Sequence, residues 1–209
     1  MNKIEIENWL KLYGIENYTI LEDLSVDVNG DVDLFGKSLV NIPVKFRNIS
    51  GDFDCGKNGL TNLDFCPVSV GGNFFCYKNI LTSMVGCPSS VGGDFDCGYN
   101  KLTNLFDCPV EVGGEFNCSA NELLNLIGSV VKVGGGFACG YNHLNSLEGI
   151  PIVNGIINCR SNDIDESELF LCDYTSEQIR SYYENKNLNE KLKGGLSEKV
   201  DVGIKKNKL

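Results

Sequence analysis

The apolar positions of this chain recur in blocks rather than at a single helical or strand period. The block Val91 to Val112, VGGDFDCGYNKLTNLFDCPVEV, matches VGGNFFCYKNILTSMVGCPSSV when moved 21 residues back. Moved 21 forward, it matches VGGEFNCSANELLNLIGSVVKV. The shared pattern is GG-x-F-x-C-x-x-N-x-L-x-x-L-x-x-C-P-x-x-V. Within a block, Phe and Cys alternate at period two, which predicts a short strand with both side chains turned inward. The Leu pair that follows predicts a second wall of the same core. Self-similarity at a period of about 20–50 residues marks a solenoid, in which each unit buries its apolar side only against its neighbours.

The coils can be followed by phase. Val32, Leu34, Leu39, Ile42 and Pro43 make a degenerate first coil, with Lys37 where later coils have Asn. Regular coils begin at Gly51. The fourth replaces Cys-Pro by Ser129-Val130, the fifth is one residue shorter, and a sixth, opened by Cys159 and Asn162, fades into DIDESELF. Before the array, residues 3–13 place Ile6, Trp9, Leu10 and Tyr13 on one helical side, with Gly14 as the stop. Asn29-Gly30 lies between alternating apolar residues and predicts a hairpin over 24–35. Behind the array, Thr175 to Gln178 form a capping-box pattern ahead of Ile179, Tyr182 and Tyr183. This predicts a capping helix near 176–186 and a second short one to Leu192. The resulting organisation is a helix-plus-hairpin cap at 1–30, a solenoid at 31–165, a helical cap at 166–192 and a Lys-rich flexible tail at 193–209.

Each repeat position has a mechanical reading. Asn58, Asn79, Asn100, Asn121 and Asn142 turn the chain out of the strand, and their amides can bond backbone groups left open at that bend. Gly-Gly is expected to supply a tight turn with positive φ before each strand. The run F-x-C-x-x-N-x-L-x-x-L-x-x-C-P resembles the leucine-rich repeat over residues 31–165, with Phe and Cys at its strand positions. This Cys-containing variety is similar to short leucine-rich repeat proteins of tailed phages and bacteria. It departs from them at Lys37, in the loss of Cys-Pro after Pro109, and in the Gly-Gly pairs. The resemblance implies an α/β repeat solenoid, a right-handed coil with one parallel sheet and a convex Leu side. It also implies a protein-binding role, such as a phage-encoded inhibitor of a host defence or nucleic-acid-processing protein.

Charge and chemistry narrow the choice. The net charge of -10 disfavours nucleic acid as a direct ligand and favours a partner with a basic surface. Ten Cys residues would ordinarily suggest a disulfide framework. Here Cys55, Cys76, Cys97, Cys118, Cys139 and Cys159 share one repeat position, and Cys66, Cys87 and Cys108 share another. Placement by phase reads as reduced thiols used as small buried hydrophobes. Only Cys172 falls outside both columns, in the apolar run LFLCDY, where a packed side chain is expected. There is no C-x-x-C for zinc, no phosphate-binding Gly-rich loop, and no calcium repeat of the nine-residue type, so neither metal nor cofactor is expected. The single His, His143, has no nucleophile signalled beside it, and the chain reads as non-enzymatic. MNKIEIENWLKLYG lacks the apolar centre of a signal peptide, and no run nears the ~20 apolar residues that span a bilayer. A reducing cytoplasm is the expected location, that of the host if the protein is phage-encoded.

The repeat phase also exposes a surface. Outward positions fall six, four, two and one residues before each Asn. The first column reads Asp31, Asp52, Asn73, Asp94, Glu115; the second Asp33, Asp54, Phe75, Asp96, Asn117. Tyr77, Tyr99 and Tyr141 lie beside them. A solvated sheet face explains the acids, but like charges opposed on neighbouring strands destabilise. Exposed aromatics are typical of interface hot spots. The expected partner site is therefore Asp31, Asp33, Asp52, Asp54, Phe75, Tyr77, Asp94, Asp96, Tyr99, Glu115 and Tyr141. A structural component of a particle and a substrate-recruiting adaptor are the alternatives, and the oligomeric state stays open.

Overall fold

The computed structural model describes residues 1–206, with side chains to Lys191. It shows a parallel β-solenoid. Helix α1 (Lys3–Leu12) precedes the coils, a 3-10 helix (Glu166–Asp173) follows them, and helix α2 (Ser176–Lys206) ends the described chain. Each full coil contributes two short strands, so the strands form two sheets rather than one. The seven-stranded sheet stacks Val32–Asp33, Phe53–Asp54, Phe74–Phe75, Phe95–Asp96, Phe116–Asn117, Phe137–Ala138 and Ile157–Asn158. The eight-stranded sheet stacks Tyr18–Ile20, Val26–Val28, Phe46–Ile49, Ser69–Val70, Ser90–Val91, Glu111–Val112, Lys132–Val133 and Ile152–Val153. The expectation of a single sheet fails because the x-x-V closing each repeat also pairs with its counterparts, as in Val70↔Val91 and Val112↔Val133.

The repeat phase is the sheet register. Phe53, Phe74, Phe95, Phe116 and Phe137 pair in order along the stack. Their side chains are buried, and the rings stack with centroids 5.1 to 5.7 Å apart. Burying one such side chain is worth about 1.5–3 kcal/mol, and each offset stack adds about 0.5–1.5. The column therefore holds neighbouring coils together as well as filling the core. The first Cys column and the two Leu columns complete the core, all buried.

Three local expectations need correction. Asn29-Gly30 is a coil corner and not a hairpin. Val32 donates forward to the Asp52 carbonyl at 2.8 Å, so the flanking strands join different sheets. The antiparallel pair is instead Tyr18–Ile20 with Val26–Val28, closing over the eight-stranded sheet. The Gly-Gly pairs within the repeats do not take positive φ. They are glycines because the coils touch there: a Cβ on Gly113 would lie 2.0 Å from the Gly92 carbonyl oxygen, and one on Gly92 2.1 Å from that of Gly71. Left-handed backbone falls instead on the residue before each Asn, at Lys57, Lys78, Tyr99, Ala120, Tyr141 and Ser161, with φ between 52° and 59°. Finally, α2 runs unbroken past the stop expected near 186–192 and through residues 193–206 of the expected tail. Leu188, Leu192, Leu196 and Val200 recur every four residues across Gly194-Gly195. Residues 207–209 of that tail lie outside the described chain.

The end behind the last coil has its own polar centre. Glu168 is buried and accepts hydrogen bonds from the hydroxyls of Tyr182 and Tyr183 and from Lys186 Nζ. Tyr183 Oη in turn accepts from the Leu147 N–H at 3.0 Å, tying α2 to the fifth coil. Eight of the ten cysteines are free, in keeping with mostly reduced columns, but Cys172 is not simply a packed side chain: it forms a disulfide with Cys159. Cys172 comes from the 3-10 helix and therefore meets the last member of the column, which has no further coil beneath it.

Candidate functional site

The face of the seven-stranded sheet carries the residues expected to bind a partner. Its architecture rests on the Asn ladder. Asn100 donates through Nδ2 to the carbonyls of Cys97 (3.0 Å) and of Cys76 in the preceding coil (3.1 Å), and its Oδ1 accepts from the Leu81 N–H (3.0 Å). Asn79, Asn121 and Asn142 repeat this scheme. The bend so fixed throws the preceding residue into left-handed backbone and turns its side chain outward. Tyr99 and Tyr141 are 59% and 68% exposed for this reason.

The acids beside them have backbone work to do. In the first column Asp31, Asp52 and Asp94 each accept from an N–H one coil further on: Asp52, Asn73 and Glu115 respectively, at 2.7 to 2.8 Å. In the second, Asp33, Asp54 and Asp96 each accept from the N–H two residues ahead, at 2.8 to 2.9 Å. Asn73 and Asn117 do the same jobs without charge. The acceptor explains why an Asx residue recurs, but not why it is so often Asp. Asp–Asp neighbours are set in register, as Asp33↔Asp54, and Asp54 and Asp96 flank Phe75 on the neighbouring strands.

The electrostatics are concentrated at that flank. Burial pushes the Asp54 carboxyl above its ordinary range, and Asp33, Asp52 and Asp96 push it further, against the Gly56 hydrogen bond. Burial likewise raises Asp96, opposed by Gly98, Asn117 and Lys78. Phe75 and Tyr77 are half-buried between these carboxyls, with ring centroids 6.3 Å apart, and Tyr77 lies 6.1 Å from Phe35. Gly56 permits this: a Cβ there would lie 2.9 Å from Cε1 of Tyr77. Lys57 reaches back over the ring of Phe35 at 5.8 Å and Lys78 forward over that of Tyr99 at 5.4 Å. The structure thus brings Asp33, Asp52, Asp54, Phe75, Tyr77, Asp94, Asp96 and Tyr99 onto adjoining strands. Asp31 marks the first coil, while Glu115 and Tyr141 lie further along the same face.

Other candidates find quieter settings. His143 is exposed and pairs with Asp163 at 3.2 Å. Most column thiols are buried, Cys87 and Cys108 half-buried, and burial pushes Cys87 and Cys139 up to about 12, so these two are protonated at neutral pH. No cluster of metal-binding side chains occurs among the described residues, and no described helix is long and apolar enough to cross a membrane. An exposed apolar stripe was not anticipated: Val85, Phe106 and Ile127 in one column, and Val68, Val110 and Val131 in another. Six and ten residues after each Asn, these positions repeat as faithfully as the acids, and that periodicity was the available signal. No protein-family profile, curated protein or solved structure matches the chain.

Proposed function

We propose that the chain acts by binding a protein with a basic surface on the face of its seven-stranded sheet, without catalysis of its own. The observation that carries this reading is the setting of Phe75 and Tyr77. Two aromatic rings sit among carboxylates whose charge is already costly, and an incoming Lys or Arg would relieve that cost while stacking on the rings. An acidic field of this kind also speeds encounter with a cationic partner. The leucine-rich-repeat likeness, with its helical caps, belongs to the same reading. So does the narrower proposal that the partner is a host defence or nucleic-acid-processing protein whose basic surface this face occupies.

The backbone bonds of the acids dictate the test. Reversal to Lys would remove acceptors from the coils, whereas Asn keeps them. The variant Asp52→Asn, Asp54→Asn, Asp94→Asn, Asp96→Asn removes four charges in residue types that the array already uses at these columns. Titration with an oligo-arginine peptide should then show weaker binding and a shallower salt dependence, with the melting temperature kept. Tyr99→Ala should weaken binding through faster dissociation. Unchanged affinity in a folded quadruple variant would remove the site from this face.

A further inference from the structure

The two sheets end differently. The eight-stranded sheet is closed at one end by the antiparallel strand Tyr18–Ile20. At its other end Val153 exchanges hydrogen bonds with the Ser176 hydroxyl, at 3.0 and 3.3 Å. The seven-stranded sheet has no such closure behind Ile157–Asn158. In the coil before it, the N–H groups of Phe137, Cys139 and Tyr141 donate to Ile156, Asn158 and Arg160, at 2.9, 2.8 and 3.0 Å. Their counterparts Ile157, Cys159 and Ser161 have no coil to donate to and find no protein acceptor among the described residues. A groove of about 510 Å³ runs along this edge between residues 155–160 and 172–175, and a second of about 240 Å³ continues it past Ser161 and Asn162. Both are lined by Cys159 and Cys172, so the disulfide pinches one long groove into two.

We propose that this edge is a docking site for an extended peptide strand, held shut by the Cys159–Cys172 bond and opened by its reduction. The occupant is a free extended segment of a partner and not a second copy stacked end to end. Helix α1 covers the core at one end, with Ile6 and Leu10 buried. The 3-10 helix covers it at the other, with Leu171 buried. Both caps would have to fit within one strand spacing of ~4.8 Å. A single strand needs only that spacing, and its carbonyls would accept from the three waiting donors, as in other strand-addition complexes. Opening the bond requires a dithiol reductant. Its thiolate attacks Sγ of Cys172, the more exposed sulfur, and Cys159 leaves as a thiolate that takes up a proton. The second thiol of the reductant then resolves the mixed disulfide, so two electrons pass to the protein and the reductant leaves as a disulfide.

A peptide copying residues 114–120 with Cys118→Ala is the probe, because Glu115, Asn117 and Ser119 accept from the preceding coil in the array itself. Amide exchange is followed residue by residue by NMR on the full chain, oxidised, reduced with dithiothreitol, and as Cys172→Ser. In the reduced and Cys172→Ser forms the peptide should slow exchange at Ile157, Cys159 and Ser161 by about tenfold, the factor that ~1.4 kcal/mol of pairing gives. The oxidised form should show no slowing. Ile157→Pro, which deletes one waiting donor and no existing bond, should abolish the effect while the coils before it keep their protection. Absence of slowing in every form would overturn the docking site. Equal slowing in oxidised and reduced forms would overturn the pin, as would a count of ten free thiols in protein purified without reductant.

Discussion

Replacing Asn100 by Ala tests the ladder on which the face depends. The change removes one acceptor and two short donor contacts, all buried. The Leu81 N–H suffers most, since a buried backbone donor without a partner costs about 1–3 kcal/mol. The carbonyls of Cys76 and Cys97 lose a donor each, a smaller cost because oxygens tolerate partial satisfaction better. The sum is about 2–4 kcal/mol, a large fraction of the about 5–15 kcal/mol that stabilises a typical domain. Urea unfolding followed by circular dichroism would measure it, with Asn145→Ala as control, since Asn145 is exposed and makes no side-chain hydrogen bond among the described residues. Asn100→Asp sharpens the argument. Its Oδ1 can keep the Leu81 N–H, but its second oxygen would face the carbonyls of Cys76 and Cys97 unless protonated. The folded-state pKa of such an Asp would be raised, so the variant should be most stable below the ordinary Asp range and lose stability as pH rises. An Asn100→Ala protein that unfolds with the wild type, or an Asn100→Asp protein indifferent to pH, would refute the reasoning.

Other positions give further outcomes. Gly113→Ala should destabilise by about 3 kcal/mol or more, because its methyl would overlap the Gly92 carbonyl of the coil before it; thermal melting checks this. Ala120→Gly should leave stability unchanged or raise it by up to about 1 kcal/mol, since Gly takes φ of 57° without strain. Loss of stability there would show that the left-handed column is not strained. Glu168 is held below its usual range because hydrogen bonds from Lys186 and the two Tyr hydroxyls outweigh the opposing effect of burial. Its contribution is therefore complete above the ordinary Glu range and is lost as pH falls through the depressed folded value. Acid titration of Glu168→Gln should show less of that loss than wild type.

What the sequence disclosed was whatever repeats. The Phe, Cys, Leu and Asn columns recur often enough to fix one another, and with them came the register of the seven-stranded sheet and the residues on its face. The second sheet was equally periodic, but each repeat strand in it buries a single apolar residue, as in Glu111–Val112, where the first sheet shows the alternating Phe and Cys. Features that occur once were harder. Asn29-Gly30 looks locally like a hairpin turn, and only pairing to Asp52 in the next coil reveals a corner. The Cys159–Cys172 bond joins an array residue to one outside it, and no periodic pattern foretells such a partner. The acids were visible as a charged face, while their bonds to backbone N–H groups depend on a separation in space that composition does not convey.

The stacking of Gly51, Gly72, Gly93, Gly114 and Gly135, each donating its N–H to the one before, has a consequence for how such a chain changes size. The corner they form is the same corner every time. Excising residues 93–113 would join Gly92 to Gly114 and set Phe116 where Phe95 had been, with each severed bond replaced by an equivalent one. Whole coils can therefore be removed or added without disturbing the elements at either end. Under such editing the length of the face changes in fixed increments of one strand, so its extent becomes a matter of copy number.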